Sequence, residues 1–462
     1  CFIYGPTYST FSFRTGRNKL FKLGGFMYHF IGIKGTGMSA LAIVLHDLGY
    51  DVNGSDVEKH FFTEEGLIKN NISITAYDES NIKENMKIIK GASIKDDNPE
   101  LIKANELNLN IYEYNEMVGV LTRKFKTVCI AGCHGKTTTT TMLSNALKNI
   151  KKISYLIGDG TGYADRDSEY FILESCEYQR HFLAYQPYYA IITNIDFDHV
   201  DYYKNIDDVI NAYQEFALKA DKMVIACGDD PYTHLLEVNK PIFYYGLEDD
   251  NDIIATNIEY KTNGTSFDVL IEGNYYGFFD LPIYGKYQLL DALAAISVCY
   301  YERIEAKEVS KALKTFNGAK RRFNEIIAGD SIIIDDYAHH PNEIKATLKA
   351  VKQKYPDKKI VSIFQPHTFT RTKEFAKDIA ATLNKSDFSY VLDIHPAREK
   401  QEDYPDVTSK LIIDNLENGS HINIDDAEVL SKYNNTVFVF MSPNDISKLE
   451  MDLKNIKEKH IL

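Results

Sequence analysis

The run Gly132-Cys133-His134-Gly135-Lys136-Thr137, continued by Thr138 to Thr141, sets two glycines, a lysine and a row of hydroxyls in the order that suits a bound phosphate. Backbone N–H groups at a glycine turn and a helix start point at phosphate oxygens, Lys136 adds charge, and the Thr137 hydroxyl can hold Mg²⁺. The strict nucleotide-loop pattern wants a glycine five places before Gly135; Ile130 stands there, so the match is to a shortened G-x-x-G-K-T form. Context separates it from a chance Gly-Lys-Thr. An apolar, strand-like run at 128–131 precedes it, and Met142, Leu143, Ala146, Leu147 and Ile150 follow at helical spacing.

A second set of reactive types lies downstream. Glu174 follows the apolar 171–173, and the strand-like 189–193 runs into IDFDHVDY, which offers Asp196, Asp198, His199 and Asp201. If these strands are parallel, their carboxyl ends share one edge with the phosphate loop, so Thr137, Glu174 and His199 can meet. A hydroxyl, a carboxylate and a neutral imidazole beside phosphate oxygens make a Mg²⁺ environment, since that ion takes few protein ligands and keeps several waters. Alone, His199 would read as a loop histidine capping a turn; the neighbouring motif turns it into a candidate ligand. Asp207 and Asp208 read as a solvated helix start, and Cys133 as a small tolerated side chain in the loop.

Two further regions carry polar groups at strand ends. Near the N-terminus, HFIGIKGTGMSALAIVLHDLGYDVNGSD reads as strand, glycine turn, helix and second strand, with glycines at 32, 35 and 37. Lys34 takes the place of the second glycine of the dinucleotide fingerprint, so what remains is backbone approach to a diphosphate at a helix N-terminus, with Ser55 or Asp56 placed to meet a sugar or base. Toward the C-terminus, strands at 331–334, 360–364 and 390–394 end in Asp335-Asp336-Tyr337-Ala338-His339-His340, in Gln365-Pro366-His367-Thr368-Phe369-Thr370-Arg371, and in His395-Pro396-Ala397-Arg398-Glu399. Between the regions, Gly318 beside Arg321 and Arg322 suits a hinge.

These groups need a scaffold, and the chain supplies one. At 462 residues the size prior suggests roughly three domains. Strand and helix signals alternate to about residue 121, and the polar, basic 122–126 is the first boundary. The α/β alternation resumes through 226, gives way at 241–285 to short Tyr- and Phe-rich runs that read as antiparallel hairpins, and returns in the last region. We therefore expect an α/β protein of three domains at 27–122, 123–318 and 319–462. Residues 1–26, which precede the first methionine, read as an upstream or non-native extension.

Composition narrows the partners. The net charge of -14 argues against nucleic acid or an anionic membrane held by a general positive field. Six cysteines (Cys1, Cys129, Cys133, Cys176, Cys227, Cys299) show no zinc spacing and suit reduced thiols. No apolar run approaches a membrane span, and no export signal is recognisable, so a cytoplasmic protein without membrane insertion is expected.

The motifs HFIGIKGTGMSALA, AGCHGKTTTTTM, FILESCEYQRHFL, TNIDFDHVDYY, FNGAKRRF, IIDDYAHHPNEI, FQPHTFTRT and LDIHPAREK, in this order, resemble those of the Mur ligases, the ATP-dependent amide-forming enzymes of peptidoglycan assembly. The likeness runs essentially from Met27 to the C-terminus and is greatest to the members that join L-alanine to the carboxylate of UDP-N-acetylmuramate. It implies a Rossmann-like N-terminal domain for the UDP-sugar, a central P-loop ATPase domain with a small antiparallel sheet, and a Rossmann-like C-terminal domain for the amino acid. Carried over by position, Gly35, Thr36, Gly37, Met38 and Ser39 would face the UDP diphosphate, with Ser55 and Asp56 near the nucleotide. Gly132, His134, Gly135, Lys136, Thr137 and Thr138 would hold ATP, joined by Gln288, Arg322 and Asp336. Thr137, Glu174 and His199 would ligate Mg²⁺. Lys136, His199, Glu174 and Arg322 would carry the chemistry, while His340, His367 and Arg371 would bind the amino acid. The active unit would be a monomer or homodimer.

Some positions depart from the family pattern. Where relatives show G-x-H-N-x-x-N before the second-domain helix, this chain has Gly285-Lys286-Tyr287-Gln288-Leu289-Leu290-Asp291, so only Gln288 keeps an amide for adenine. Thr368 stands where some relatives carry a second arginine. Other readings remain open at this point: a recycling ligase that adds a tripeptide to the same UDP-sugar, a nicotinamide-dependent dehydrogenase built on the first glycine turn, and a non-catalytic nucleotide-binding module.

Overall fold

The computed structural model describes residues 26–459. The expectation for 1–26 falls outside the described residues except at Phe26. Three sheets follow one another along the chain and define a three-domain α/β protein. Among the described residues no helix is long and apolar enough to cross a membrane.

The first sheet contains β1 (Met27–Ile31), β2 (Asp51–Ser55), β3 (Ser73–Thr75), β4 (Met86–Lys90) and β5 (Asn110–Glu113), in the order β3-β2-β1-β4-β5 and parallel throughout. Helices α1 (Thr36–Asp47), α2 (Glu64–Lys69), α3 (Pro99–Glu106) and α4 (Tyr114–Thr122) make its crossovers. The order reverses at β1, the place where open α/β sheets bind ligands. The turn into α1 uses Gly32, at a φ of 85° that favours glycine, and Met38, Leu41, Ala42 and Leu45 bury the helix's inner face.

The middle sheet is built from β6 (Lys126–Ala131), β7 (Ile153–Leu156), β8 (Gly162–Tyr163), β9 (Tyr170–Glu174), β10 (Tyr189–Ile192), β11 (Met223–Cys227), β12 (Ile242–Gly246), β13 (Ile253–Lys261), β14 (Gly264–Ile271) and β15 (Asn274–Leu281). Its order is β15-β14-β13-β12-β11-β10-β6-β9-β7-β8. β6 and β10 are central strands covered on both faces, and their runs VCIA and YAII are fully buried. Helices α5 (Lys136–Leu147), α6 (Ile206–Leu218), α7 (Gly285–Tyr301) and α8 (Ala306–Leu313) pack here, α5 against α7. The hairpin reading of 241–285 needs correction: β12 runs parallel to β11 and β13, and antiparallel pairing starts only at β13 with β14. Tyrosine-rich alternation looks the same in either direction, so only the pairing partner decides.

The third sheet holds β16 (Asn324–Ala328), β17 (Ser331–Asp336), β18 (Lys359–Phe364), β19 (Phe388–Val391), β20 (Gly419–His421) and β21 (Thr436–Met441), ordered β16-β17-β21-β18-β19-β20 and parallel except at β16. Around it lie α9 (Pro341–Lys354), α10 (Phe369–Leu383), α11 (Lys410–Ile413) and α12 (Ser447–Lys459). The strand expected at 390–394 ends at Val391, and His395 instead makes a single parallel bridge to His367.

Candidate functional site

Four of the five consecutive threonines at the start of α5 explain how a β-branched run can be helical. β-Branching restricts χ1 and lowers helix propensity, yet their hydroxyls find specific partners. Thr140 and Thr141 bond back to the carbonyls of Lys136 and Thr137, Thr139 donates to Asp291 Oδ1 at 3.0 Å, and Thr137 donates to Glu174 Oε1 at 3.0 Å. Ahead of the helix, Gly132 and Gly135 have φ of 141° and 84°. A Cβ on Gly132 would lie 1.8 Å from Thr193 Oγ1, so the close approach requires glycine. Thr193 and Asn194, at the end of β10, both donate to the His134 carbonyl and clamp the loop from outside.

The strand ends do converge. Glu174, closing β9, accepts from Thr137 and, at 2.6 Å, from the backbone N–H of Gly158. Lys136 Nζ donates to the carbonyls of Gly132 and Cys133 and pairs with Glu177 Oε2 at 2.9 Å. Glu177 also receives His199 Nε2 at 3.1 Å on Oε1. Thus Glu177, absent from the sequence-based candidates, joins the loop lysine to the loop histidine. Only its spacing three residues beyond Glu174, on an aperiodic stretch, could have marked it. Burial lifts the Glu174 carboxyl above its usual range, with Lys136 only partly opposing. At Glu177 burial pushes the same way, but Lys136 and His199 outweigh it and hold the carboxyl low.

Helix α9 and the segment carrying Arg322 lie over this edge. His134 lies between Asp196 Oδ2 at 3.1 Å and Glu343 Oε1 at 3.4 Å, its ring stacked on that of His340 with centroids 4.8 Å apart. Burial disfavours the imidazolium, yet the two carboxylates raise its pKa to about 10. Arg322 lies over the Tyr337 ring at 4.6 Å and 3.6 Å from Glu343 Oε1. Asp336 accepts from the backbone of Phe323 and Ala338, and burial pushes its carboxyl up to about 6. A cavity of about 370 Å³ opens here, lined among others by His134, Thr138, Gln288, Asp291, Arg322 and Asp336. Gln288 accepts from the Tyr284 N–H. Asp291 is buried beside Thr139, and burial lifts its carboxyl to about 7.

The amino-acid candidates separate. His340 lies with His134, while the ring of His367 neighbours those of His339 and His395. Burial holds the pKa of His367 down at about 3 and that of His339 at about 4, so both are neutral. Arg371 is buried and donates through Nε and Nη2 to Asp198 Oδ1, a contact between α10 and the loop that carries His199. Thr368, the N-cap of α10, has φ of 64°, an uncommon value for a β-branched residue.

In the first domain, Gly35, Thr36 and Gly37 keep exposed surface at the start of α1, whereas Met38 and Ser39 turn inward. Gly37 faces the Tyr114 ring so closely that a Cβ would meet it at 2.8 Å. Ser55 is buried and bonded to Glu100. Asp56 accepts from the backbone of Lys34 and Val57, and Lys34 Nζ is taken up by the carbonyls of Val57 and Lys59 and by Glu64.

Comparison with known proteins bears on this arrangement. Three family models match in succession: the Mur ligase family, catalytic domain over residues 27–126, the Mur ligase middle domain over 130–299, and the Mur ligase, glutamate ligase domain over 321–442. The chain is similar to a UDP-N-acetylmuramate–alanine ligase from Thermotoga maritima at 27% identity, with 94% of this chain and 99% of that one covered and a TM-score of 0.78. A murein peptide ligase from Psychrobacter arcticus shares the fold at 22% identity, with 94% and 98% covered and a TM-score of 0.70. So does a MurF ligase from Thermotoga maritima in complex with ADP, at 18% identity, 88% and 95% covered and a TM-score of 0.60. With all three of its domains matched in order, the chain belongs to the Mur ligase family of ATP-dependent amide-forming ligases.

Proposed function

We propose that this ligase joins L-alanine to the carboxylate of UDP-N-acetylmuramate through an acyl phosphate. The observation that carries this reading is the convergence of Thr137, Glu174, Lys136, Glu177 and His199 at one sheet edge, closed over by Arg322 and by the His339–Arg371 side of the third domain. The 27% identity to an alanine-adding ligase over 94% of the chain supports the choice of amino acid.

A carboxylate is a poor acyl donor because its leaving group would be an oxide. The sugar carboxylate therefore attacks the γ-phosphorus of ATP and the P–O bond to ADP breaks; the alanine amine, its ammonium proton lost to solvent, then attacks the acyl carbon, and as the C–O bond to phosphate breaks inorganic phosphate leaves and the new amide nitrogen gives up one further proton. Two anions must approach in the first step. Lys136 and the N-terminus of α5 offset that repulsion at the phosphates, and Arg322 does so from across the hinge. Gln288 would read adenine and Asp336 would contact the nucleotide. Gly35 to Ser39, Ser55 and Asp56 would serve the UDP end, while His340, His367 and Arg371 would serve the amino acid. Closure of the third domain excludes water from the hydrolysable acyl phosphate.

The donor set fits Mg²⁺. Burial leaves Glu174 short of positive charge next to a hydroxyl, and His199 presents a ring nitrogen beside the Glu177 carboxylate. Thr137 and Glu174 would hold one ion, His199 with Glu177 another. When bound, these ions add positive charge beside the transferring phosphoryl.

Phosphate release from ATP, measured with UDP-N-acetylmuramate plus either L-alanine or a tripeptide acceptor, tests the reading. Alanine-dependent release is expected, abolished in Lys136→Ala. Release with the tripeptide alone would reject the alanine assignment and select a recycling ligase. ATP hydrolysis without any amide product would point to a nucleotide-binding module.

A further inference from the structure

One cluster of ligating side chains joins two domains without belonging to the cation positions proposed above. His134 comes from the loop before α5, Asp196 from the loop after β10, and His340 is the N-cap of α9. One atom from each lies within 4.8 Å of the others. His134 Nε2 is 3.1 Å and His340 Nδ1 3.7 Å from the same oxygen, Asp196 Oδ2. Tetrahedral ligands at zinc distances are separated by about 3.3 Å, so these spacings need only small adjustments.

Two independent features point to a cation. The backbone N–H of Asn342 donates to His340 Nδ1 at 3.4 Å, so that nitrogen carries its lone pair, and a metal ion between it and the Asp196 carboxylate, 3.7 Å away, would take the lone pair over from this long cap contact. Two acceptors opposed around an imidazole only 3% exposed call for positive charge between them, which either a protonated His134 or a bound cation supplies. The surroundings also match those of metal ligands. Glu343 Oε1 lies 3.4 Å from His134 Nδ1, the other nitrogen of that ring, and Asn342 Nδ2 donates to Asp196 Oδ2 at 2.7 Å. Ligating imidazoles commonly place their second nitrogen on a carboxylate, and ligating carboxylates are themselves hydrogen-bonded.

We propose that His134, Asp196 and His340 bind a divalent transition-metal ion of the zinc class, which clamps the phosphate loop to the third domain. Two imidazole nitrogens and one carboxylate oxygen favour zinc, cobalt or nickel, whereas Mg²⁺ prefers oxygen and near-octahedral hydration. Binding releases the proton held between His134 Nε2 and Asp196, and the Glu343 contact keeps the ring oriented. His134 and Asp196 also line the cavity, which leaves the fourth ligand position to water or to a ligand atom from that side. While the ion is bound, α9 and the loop cannot separate, so domain opening is blocked.

The test is a Co²⁺ titration of the full chain in excess Mg²⁺, followed by visible ligand-field absorption. One Co²⁺ per chain is expected, displaced by Zn²⁺ and unaffected by His199→Ala. His340→Ala should weaken binding at least tenfold. Asn342→Ala, at an exposed position that tolerates truncation, should weaken it ten- to a hundredfold. No absorption in the unmodified chain, undiminished affinity in Asn342→Ala or His340→Ala, or loss of the signal in His199→Ala would each overturn the proposal.

Discussion

Replacing Asp291 with asparagine swaps one oxygen for an amide nitrogen at a position where the carboxyl is buried beside Thr139 and close to Gly135. The Thr139 hydroxyl can still donate to the amide oxygen. What changes is titration. Burial raises the Asp291 pKa from 3.8 to about 7, against weaker opposing effects of Thr139 and Arg322. Well below pH 3.8 the carboxyl is protonated in both the folded and the unfolded chain and contributes no pH dependence. Between about pH 4 and 7 the unfolded chain ionises while the folded one keeps its proton, so stability falls as pH rises; above 7 the loss is complete. A rise from 3.8 to about 7 corresponds to at most about 4 kcal/mol. About 2.7 kcal/mol of this falls between pH 5 and pH 8, which for a domain of this size is on the order of 5–11 °C in melting temperature. Calorimetric melting of both proteins from pH 5 to pH 8 isolates the effect, because every other group titrates alike in the pair. The Asp291→Asn variant should gain progressively on the unmodified chain as pH rises. A melting difference that is the same at pH 5 and pH 8 would refute the reasoning, since it would mean Asp291 does not titrate across that range.

Glu177→Ala strips Lys136 and His199 of their shared carboxylate; breaking a buried charge pair costs about 3–5 kcal/mol, measurable by denaturant unfolding, and adding Lys136→Met should recover part of it. Asp198→Ala leaves the buried Arg371 guanidinium unpaired at a similar cost of about 3–5 kcal/mol, and a loss below about 1 kcal/mol would show that the pair is not maintained in solution. Gly132→Ala places a Cβ against Thr193 Oγ1 at a φ that disfavours alanine, so the loop must shift. A displacement near 1 Å at reacting groups can cost about a hundredfold, and alanine-dependent phosphate release within tenfold of normal would contradict that.

Much of the scaffold could be read from residue pattern alone because central parallel strands are continuous apolar runs. 128–131, 189–192 and 223–226 are such runs, and each lies in a strand of the middle sheet. Direction is less legible: the short Phe- and Tyr-containing run of 242–246 fits a hairpin strand as well as the parallel strand it forms. The strand near 390 ends sooner than the apolar pattern predicts, because Leu392 and Ile394 continue the apolar run past the last paired residue, Val391.

The site divides along the same line. Thr137 and Glu174 are predictable partners because Glu174 ends β9 and Thr137 lies in the first turn of the helix that follows the neighbouring strand β6, so the parallel pairing of β6 with β9 brings them to one edge. Glu177, Asp198 and Glu343 were not, since each acts through a partner distant in sequence: Glu177 through Lys136 and His199, Asp198 through Arg371, and Glu343 through His134 and Arg322. Glu343 illustrates the difficulty most directly. Its local signature is a capping box with His340 at the start of α9, a sufficient reason for a glutamate at that position. Only docking of α9 against the phosphate loop reveals that the same carboxylate also holds His134 and Arg322. One residue thus stabilises a helix start, contacts a loop histidine and pairs with Arg322, so the electrostatics of the middle domain's loop depend on where the third domain sits.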